Sequence, residues 1–416
     1  LNGGQTEAPQ LQGQVNGGYR QSHYANYDAG LTLLYTKPKL SMDLLYAFGA
    51  NKTRTGLDLD SKHTLADEIY PIEQFNRGYA NGMTHTLRLG TDFNLNEKNQ
   101  LSVAYTTQLT PSGKAFESSQ GTFSQSANTK RKTDGKPQQM HNFMVNYTSG
   151  FGLKTGADYT FFQSHTTQYY EEMMTGKEDR FEAYSKQDIG RLSMYADQKF
   201  SIGKNWTLNF GGRFMYASDR SSQRYHSLSG KDMTTSDSES NLDEYTYNLY
   251  AGFAKSFSEK LSLSASLTGE YYKYNELDEW SVFPVMELTY LARPEHIFQL
   301  SLSTDKAYPS YWELMNSVGY LNGYAEIHGN PLLKPYKNYS LQLNYILKGK
   351  YVLTGYMNYQ DDYFEQLPYQ SPERLALLYK TTNYKYGLMT GVNLVVPFRV
   401  GKVLDSRLMV NGFYKK

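Results

Sequence analysis

The sequence predicts an all-β fold, a membrane-spanning antiparallel up-and-down β-barrel of which about seventeen strands are visible. Three observations carry that prediction: two-residue alternation of apolar and polar side chains, strands long enough to cross a bilayer, and connections that switch between tight and long. The alternation is cleanest along 260–274. Leu261, Leu263, Ala265, Leu267, Gly269 and Tyr271 fall on one side, and Ser262, Ser264, Ser266, Thr268, Glu270 and Tyr272 on the other. Successive side chains of a strand point to opposite faces, so this segment has one oily face and one wet face. Its run of about 11–14 residues exceeds the ~5–6 of an ordinary strand. It meets the roughly 9–11 residues that a tilted strand needs to span a bilayer.

Composition agrees. A length of 416 residues ordinarily suggests two or three soluble domains. Yet only 39% of residues are hydrophobic, and the mean hydropathy is −0.64. A helical membrane protein needs apolar runs of about 18 residues, and the sequence has none. A barrel keeps a hydrophilic average because alternate residues face a polar lumen. The 39 Tyr suit membrane–water interfaces, where one end of an amphipathic ring is greasy and the other wet. A net charge of +1 implies no strongly charged partner and argues against nucleic acid, which needs a clustered basic surface. With no Cys there is no disulfide framework and no thiolate metal site. Leu1 opens a polar Gly/Gln stretch rather than a signal peptide, so the sequence is expected to begin after processing or to come from a longer chain.

The alternation places strands near 13–21, 27–36, 39–50, 80–95, 99–111, 138–148, 152–164, 188–200, 204–217, 243–257, 260–274, 281–292, 296–306, 337–347, 350–360, 383–398 and 402–416. An irregular segment, 1–10, precedes a barrel domain, 11–416, expected to be incomplete at its C-terminus because the strand number is odd. Tight turns fall at Lys37-Pro38, Asn96–Lys98, Ser149–Phe151, Ile202-Gly203, Ser258-Glu259, Arg293–Glu295, Lys348-Gly349 and Arg399–Gly401. Between them lie long polar stretches, 51–79, 112–137, 165–187, 218–242, 307–336 and 361–382, with shorter ones near 22–26 and 275–280. Every second connection of an antiparallel barrel emerges on the same side, and outer-membrane barrels pair short periplasmic turns with long extracellular loops. A soluble β-sandwich, whose hairpin loops run about 2–5 residues, does not account for six long loops on one end.

The predicted outer faces are apolar: Trp206, Leu208, Phe210, Phe214 and Tyr216 in one strand, Tyr339, Leu341, Leu343 and Tyr345 in another, Leu388, Val392, Leu394, Val396 and Phe398 in a third. Aromatics mark the row ends, as in Tyr245 and Phe257 or Tyr351 and Tyr359. Arg88, Asp92, Arg213 and Glu270 take the opposite parity, toward the lumen, since a charge at the lipid midplane costs about 2–4 kcal/mol.

The stretch Lys306–Leu314 contains Pro309, Glu313 and Leu314, and His328–Tyr336 contains Gly329-Asn330-Pro331, Leu333 and Pro335. Together they resemble the "P-x-x-x-E-L … G-N-P-x-L-x-P" passage of TonB-dependent receptors. The opening strands, Val15–Tyr19 and Tyr27–Tyr35, are similar to the allied outer-membrane β-barrel protein family. Read physically, Gly-Asn permits unusual backbone angles and Pro331 and Pro335 stiffen the entry to a strand, so the motif is first a loop base. The resemblance implies a 22-stranded barrel in the outer membrane of a Gram-negative bacterium, filled by an N-terminal plug and driven through TonB. No plug or TonB-contact segment precedes Leu11, and about five strands would follow Lys416. The expected partners are outer-membrane lipid and lipopolysaccharide, the TonB complex through a plug outside this sequence, and a surface lipoprotein.

No catalytic motif is present: neither a Gly-x-Ser-x-Gly elbow, a phosphate-binding Gly loop nor His-Glu-x-x-His. The eight His show no metal-ligand spacing, so neither an enzyme nor a cofactor is expected. Asp58, Asp60, Asp67 and Glu68 form a loose acidic group better read as a solvated loop. Asp232–Glu239 lacks the ligand order of a calcium loop, and Lys130–Lys136, with Asp134, reads as a basic loop tip, better taken as ordinarily solvated than as touching lipopolysaccharide phosphates. The loop 307–336 is the expected ligand-binding element: Tyr308, Tyr311, Trp312, Tyr320, Tyr324 and His328 offer rings for stacking on a sugar, a chelate or a peptide. Packing of that loop on itself or on a plug explains the same rings. Active uptake of a scarce nutrient (a chelated metal, an oligosaccharide or a peptide) is the leading expectation. A non-transporting barrel with a structural or adhesive, partner-binding role is the alternative.

Overall fold

The computed structural model describes residues 8–123, 125–174, 177–203, 205–230 and 236–416. Among them one antiparallel sheet forms a wall of seventeen strands in simple neighbour order, with a hairpin inserted in its upper edge. The first seven wall strands are β1 (Gln10–Gln21), β2 (Ala25–Lys37), β3 (Leu40–Leu65), β4 (Glu68–Asn96), β5 (Asn99–Thr110), β8 (Gln138–Thr148) and β9 (Leu153–Met174). They continue through β10 (Lys177–Ile202), β11 (Trp206–Ser227), β12 (Ser238–Ser258), β13 (Leu261–Tyr274), β14 (Leu277–Arg293) and β15 (His296–Ala307). The last four are β18 (Tyr336–Leu347), β19 (Tyr351–Asp361), β22 (Tyr386–Val400) and β23 (Leu404–Lys415). The inserted hairpin, β6 (Gly113–Phe123) with β7 (Gln125–Gly135), pairs with β4 on one side and β9 on the other, above β5 and β8. Among the described residues no pairing joins β1 to β23, so the wall has two unpaired edges.

The predicted parity is the observed one. Leu249, Leu267, Val282, Leu343 and Val392 project their side chains from the outer face, while Glu270, Tyr272 and Tyr274 are buried on the inner face. On that outer face Phe214, Tyr247, Tyr271 and Trp280 lie opposite one another across β11–β14. Their ring centroids are 4.9, 6.1 and 5.2 Å apart. A second aromatic row at the other end holds Trp206, Phe253 and Phe257, with the Lys255 ammonium 4.1 Å over the indole. Tyr247 and Phe257 are ten residues apart on β12, roughly 33 Å of strand and about 23 Å of depth at a ~45° tilt. That is the height of the apolar band of such barrels, about 25 Å. Lys255 reaches past the lower row toward water, as long cationic side chains do at a membrane interface.

The tight turns are formed as expected. At the β18–β19 turn Lys348 and Gly349 both have positive φ, 53° and 65°, the pairing whose twist suits a two-residue hairpin.

The long connections are where the structure corrects the reading. Strands β3 and β4 run on through 51–79, β9 and β10 through most of 165–187, and β11 and β12 into 218–242. The stretch 112–137 is the β6/β7 hairpin rather than a loop. The reason is physical. Above the bilayer both faces of a strand meet water or protein, so the apolar-out pattern stops while the backbone ladder continues. Part of Asp232–Glu239 lies outside the described residues. Gln10, assigned to the irregular start, opens β1.

Two connections fold inward. The first, after β15, contains the short helix α1 (Tyr311–Leu314), β16 (Val318–Tyr320) and β17 (Ala325–His328). The second, after β19, contains β20 (Phe364–Gln370) and β21 (Leu377–Asn383). Strands β17 and β21 pair in parallel, joining the two hairpins into a four-stranded sheet separate from the wall. Pro284 lies in β14. It lacks an N–H, and the β14–β15 ladder begins only beyond it, at Met286 opposite Leu302.

Candidate functional site, a lid across the mouth

The small sheet and α1 form a lid that touches the inner wall at widely separated strands. Each hydrophobic cluster found among the described residues contains lid side chains. Tyr320 packs on Tyr170, Phe181 and Tyr225 of β9–β11. Leu314 and Leu333 pack with Leu242, Tyr272 and Tyr274 of β12–β13. Tyr324 packs with Ile72 of β4 and Ala127 of β7. Burying a large apolar side chain contributes about 1.5–3 kcal/mol, so these anchors hold the lid in place.

The proline, glutamate and Gly-Asn-Pro residues quoted above form the lid's base. The Glu313 carboxylate accepts from the Ser310 N–H at 3.0 Å and its hydroxyl at 2.6 Å, tying down the start of α1. Its other oxygen accepts from the Thr381 hydroxyl of β21 at 2.8 Å. Asn330 donates through Nδ2 to the Thr381 carbonyl at 2.9 Å, and its backbone N–H donates to the Glu313 carbonyl. Gly329 lies so close to Met315 that a Cβ would overlap the Met315 carbonyl oxygen. The spacing in sequence thus becomes one clamp joining α1, the strand-entry turn and β21.

The six side chains expected to bind a ligand are dispersed by this arrangement. Tyr308 donates to both Glu270 oxygens at 2.9 Å, with its ring against Tyr272. Tyr311 donates to Glu244 at 2.5 Å. Tyr320 lies in the β9–β11 cluster, and Tyr324, 1% exposed, pairs its hydroxyl with Nδ1 of His63 at 2.9 Å. His328 places Nε2 3.0 Å from Glu326. Trp312, 46% exposed, lines one open cavity with the β9–β11 wall, and Tyr308 and Tyr311 line another, in the lumen beside Arg213 and Glu270. The structure brings Tyr308 and Tyr311 together on the β12–β13 face, Tyr320 and Tyr324 onto two other walls, and Trp312 beneath none of them.

Several residues that hold the lid were not singled out from the sequence. His63 is fully buried, with Nε2 2.9 Å from the Ser371 carbonyl of the second lid segment. Arg374 makes a two-point contact with Glu326 at 2.7 and 2.6 Å. Burial pulls the Glu326 carboxyl upward, but hydrogen bonds from His328 and Arg374 and the guanidinium charge outweigh it and hold the group down at about 2. These pairings join residues 261, 308 and 48 positions apart, and no local pattern announces them. Below the lid, Lys306 is buried beside Glu270 at 3.2 Å and Glu279 at 3.4 Å, and Lys337 meets Glu279 at 2.5 Å. Arg213 and Glu270 both line the lumen there.

Two of the four acidic side chains of the first long stretch have partners. Asp58 is bound by Arg77, and Glu68 accepts from Tyr70 at 2.6 Å. Among the described residues no group of three or more His, Asp or Glu is placed to hold a metal ion. The basic run of β7 is a strand rather than a loop tip: Lys130 meets Glu171 at 2.9 Å, Arg131 meets Glu117 at 3.2 Å and Lys132 meets Asp134 at 2.9 Å.

Solved structures share this architecture. The copper transporter OprC superposes with a TM-score of 0.54 at 12% identity, over 98% of this chain and 62% of its own. The ferric enterobactin receptor PfeA of Pseudomonas aeruginosa, in a mutant form bound to enterobactin, gives 0.56 at 11% identity over 97% and 62%. The hemophore receptor HasR of Serratia marcescens, a double mutant in complex with its hemophore HasA and heme, gives 0.52 at 10% identity over 97% and 63%. At such identities the likeness is one of fold alone, and the chain spans about 62% of the length of the first two. Among curated proteins no relative matches the sequence. A family model described as the outer membrane protein beta-barrel family matches residues 147–416. The chain therefore belongs to the outer membrane protein β-barrel family and resides in the outer membrane of a Gram-negative bacterium.

Proposed function

We propose that this chain is the wall and lid of an outer-membrane receptor that takes up a scarce nutrient by a TonB-driven route. The lid carries the reading. A general diffusion pore needs an open mouth, and a purely structural barrel has no use for a separate sheet folded from two connections and clamped to several wall strands. A receptor uses both: a polar lumen wide enough for a solute, and a cover whose position responds to it. The lid is held by buried polar pairs and three apolar clusters, the contacts that ligand binding would offset in this reading. A plug contacting TonB belongs to the full-length protein in this reading, as does continuation of the wall past its two unpaired edges. Unpaired backbone groups facing lipid cost several kcal/mol each. Lipopolysaccharide against the outer face and a surface lipoprotein above the lid complete the proposed partners.

Deleting the gene and growing cells on defined iron, sugar and peptide sources tests this reading. The expected result is a growth defect on one class, restored by the native gene and not by a TonB-uncoupled strain. Unchanged growth and uptake on every class would leave a structural or adhesive barrel in its place.

A further inference from the structure

We infer that the cavity between Trp312 and the β9–β11 wall is a binding site for a neutral, hydroxyl-rich ligand, an uncharged oligosaccharide. The inference rests on the receptor reading and narrows it to one substrate class. The cavity has a volume of about 290 Å³, close to the lower end of small-molecule sites, roughly 300–1,000 Å³. Its two sides differ in chemistry. The lid side offers the Trp312 indole with Met315 and Ile327. The wall side offers Ser164, Thr166, Ser185, Gln187, Ser221 and Gln223, which share the inward parity of the buried Tyr170, Phe181, Ala183 and Tyr225 on the same strands. Four hydroxyls and two amides therefore face one aromatic ring.

Among the described residues no unpaired charge lines the site. Lys186, the one charged residue lining it, holds its ammonium 2.8 Å from Asp188. The buried Asp219 accepts from Gln187 at 3.0 Å and from Ser221 at 2.7 Å, fixing two wall groups in direction. A ferric chelate with net negative charge finds no unpaired cation among the described lining residues, and a peptide, although Gly319 of the edge strand β16 lines the cavity, finds no free charge for its ends. A sugar ring fits both sides at once, its C–H face on the indole and its hydroxyls on groups that donate and accept.

The test uses the full-length protein purified in detergent. An array of neutral oligosaccharides built from glucose, mannose, galactose and xylose is compared with sulfated oligosaccharides and ferric enterobactin. Binding is read by calorimetry and by tryptophan emission. The expected result is that at least one neutral oligosaccharide binds and quenches emission. Its affinity falls roughly tenfold in Trp312→Ala, in line with a lost stacking contact, and several-fold in Gln223→Ala, with thermal unfolding of both variants unchanged. Gln223→Ala decides the matter if Trp312→Ala fails to fold. Absence of binding across the neutral array, or full affinity in the variants, overturns the inference. Uptake of ferric enterobactin or of peptides without neutral-sugar binding removes it and leaves the receptor reading standing. Unchanged growth and uptake on every nutrient class after gene deletion removes the receptor reading itself.

Discussion

The wall and the lid are built from the same residue types by opposite means. In the wall each strand pairs with the next wall strand along the chain, and the outer row from Phe214 through Tyr247 and Tyr271 to Trp280 repeats one side-chain choice at each register position. In the lid, neighbours in space come from distant parts of the chain, as with His63 and Tyr324 or Glu313 and Thr381. The wall derives its order from a solvent boundary: lipid outside, water inside, backbone groups satisfied strand to strand. The lid derives its order from particular buried partners. The first kind of order tolerates any apolar residue of suitable parity, whereas the second is lost when one partner is changed.

The largest effect is expected from attacking the wall at its solvent boundary. Leu267 lies opposite Ala251 and Pro284, midway between the two aromatic rows, with its side chain outward. Leu267→Arg puts a charge at the lipid midplane and should cost about 2–4 kcal/mol, read as a lower urea midpoint in bilayers. The polar Leu267→Ser at the same place should cost less. A smaller, local loss is expected from Tyr324→Phe, which leaves the buried Nδ1 of His63 without its hydroxyl partner. Roughly 1–3 kcal/mol should be lost, seen as faster hydrogen exchange in 318–328 and 364–383 with the wall unchanged.

That contrast explains what the sequence discloses. Seventeen wall strands are legible because alternation is a local signal, and Leu261 to Tyr271 carries it without interruption. The extensions of β3, β4, β9 and β10 are hidden because a strand wet on both faces has no apolar parity to display: Arg54, Asp58, Asp60 and Lys62 sit in an unbroken ladder. The ring-rich lid segment is visible as an aromatic inventory, yet composition does not tell a ring that packs, such as Tyr320, from one that lines a cavity, such as Trp312. His63 offers no signal at all, since its partners lie 261 and 308 residues away.

Acid sharpens the comparison further. Glu326 is held down at about 2 from an ordinary value of 4.5. A depressed folded-state value means its contribution is fully present above about 4.5 and is lost as pH falls toward about 2. Lid exchange should therefore accelerate across that window by the equivalent of roughly 1–2 kcal/mol, while the β11–β14 rows stay protected. Glu326→Gln should flatten the dependence. The smallest effect belongs to Trp312→Ala: its ring is half exposed, so thermal stability should move by no more than about 0.5 kcal/mol.

The central claim is that one face of each wall strand meets lipid and the other meets water. Single nitroxide labels placed in turn at 261 through 271 of the protein in bilayers, with collisions by oxygen and by a water-soluble nickel chelate recorded, test it position by position. The account predicts oxygen-accessible labels at the odd positions and nickel-accessible labels at the even ones. Equal accessibility along the whole segment would contradict it.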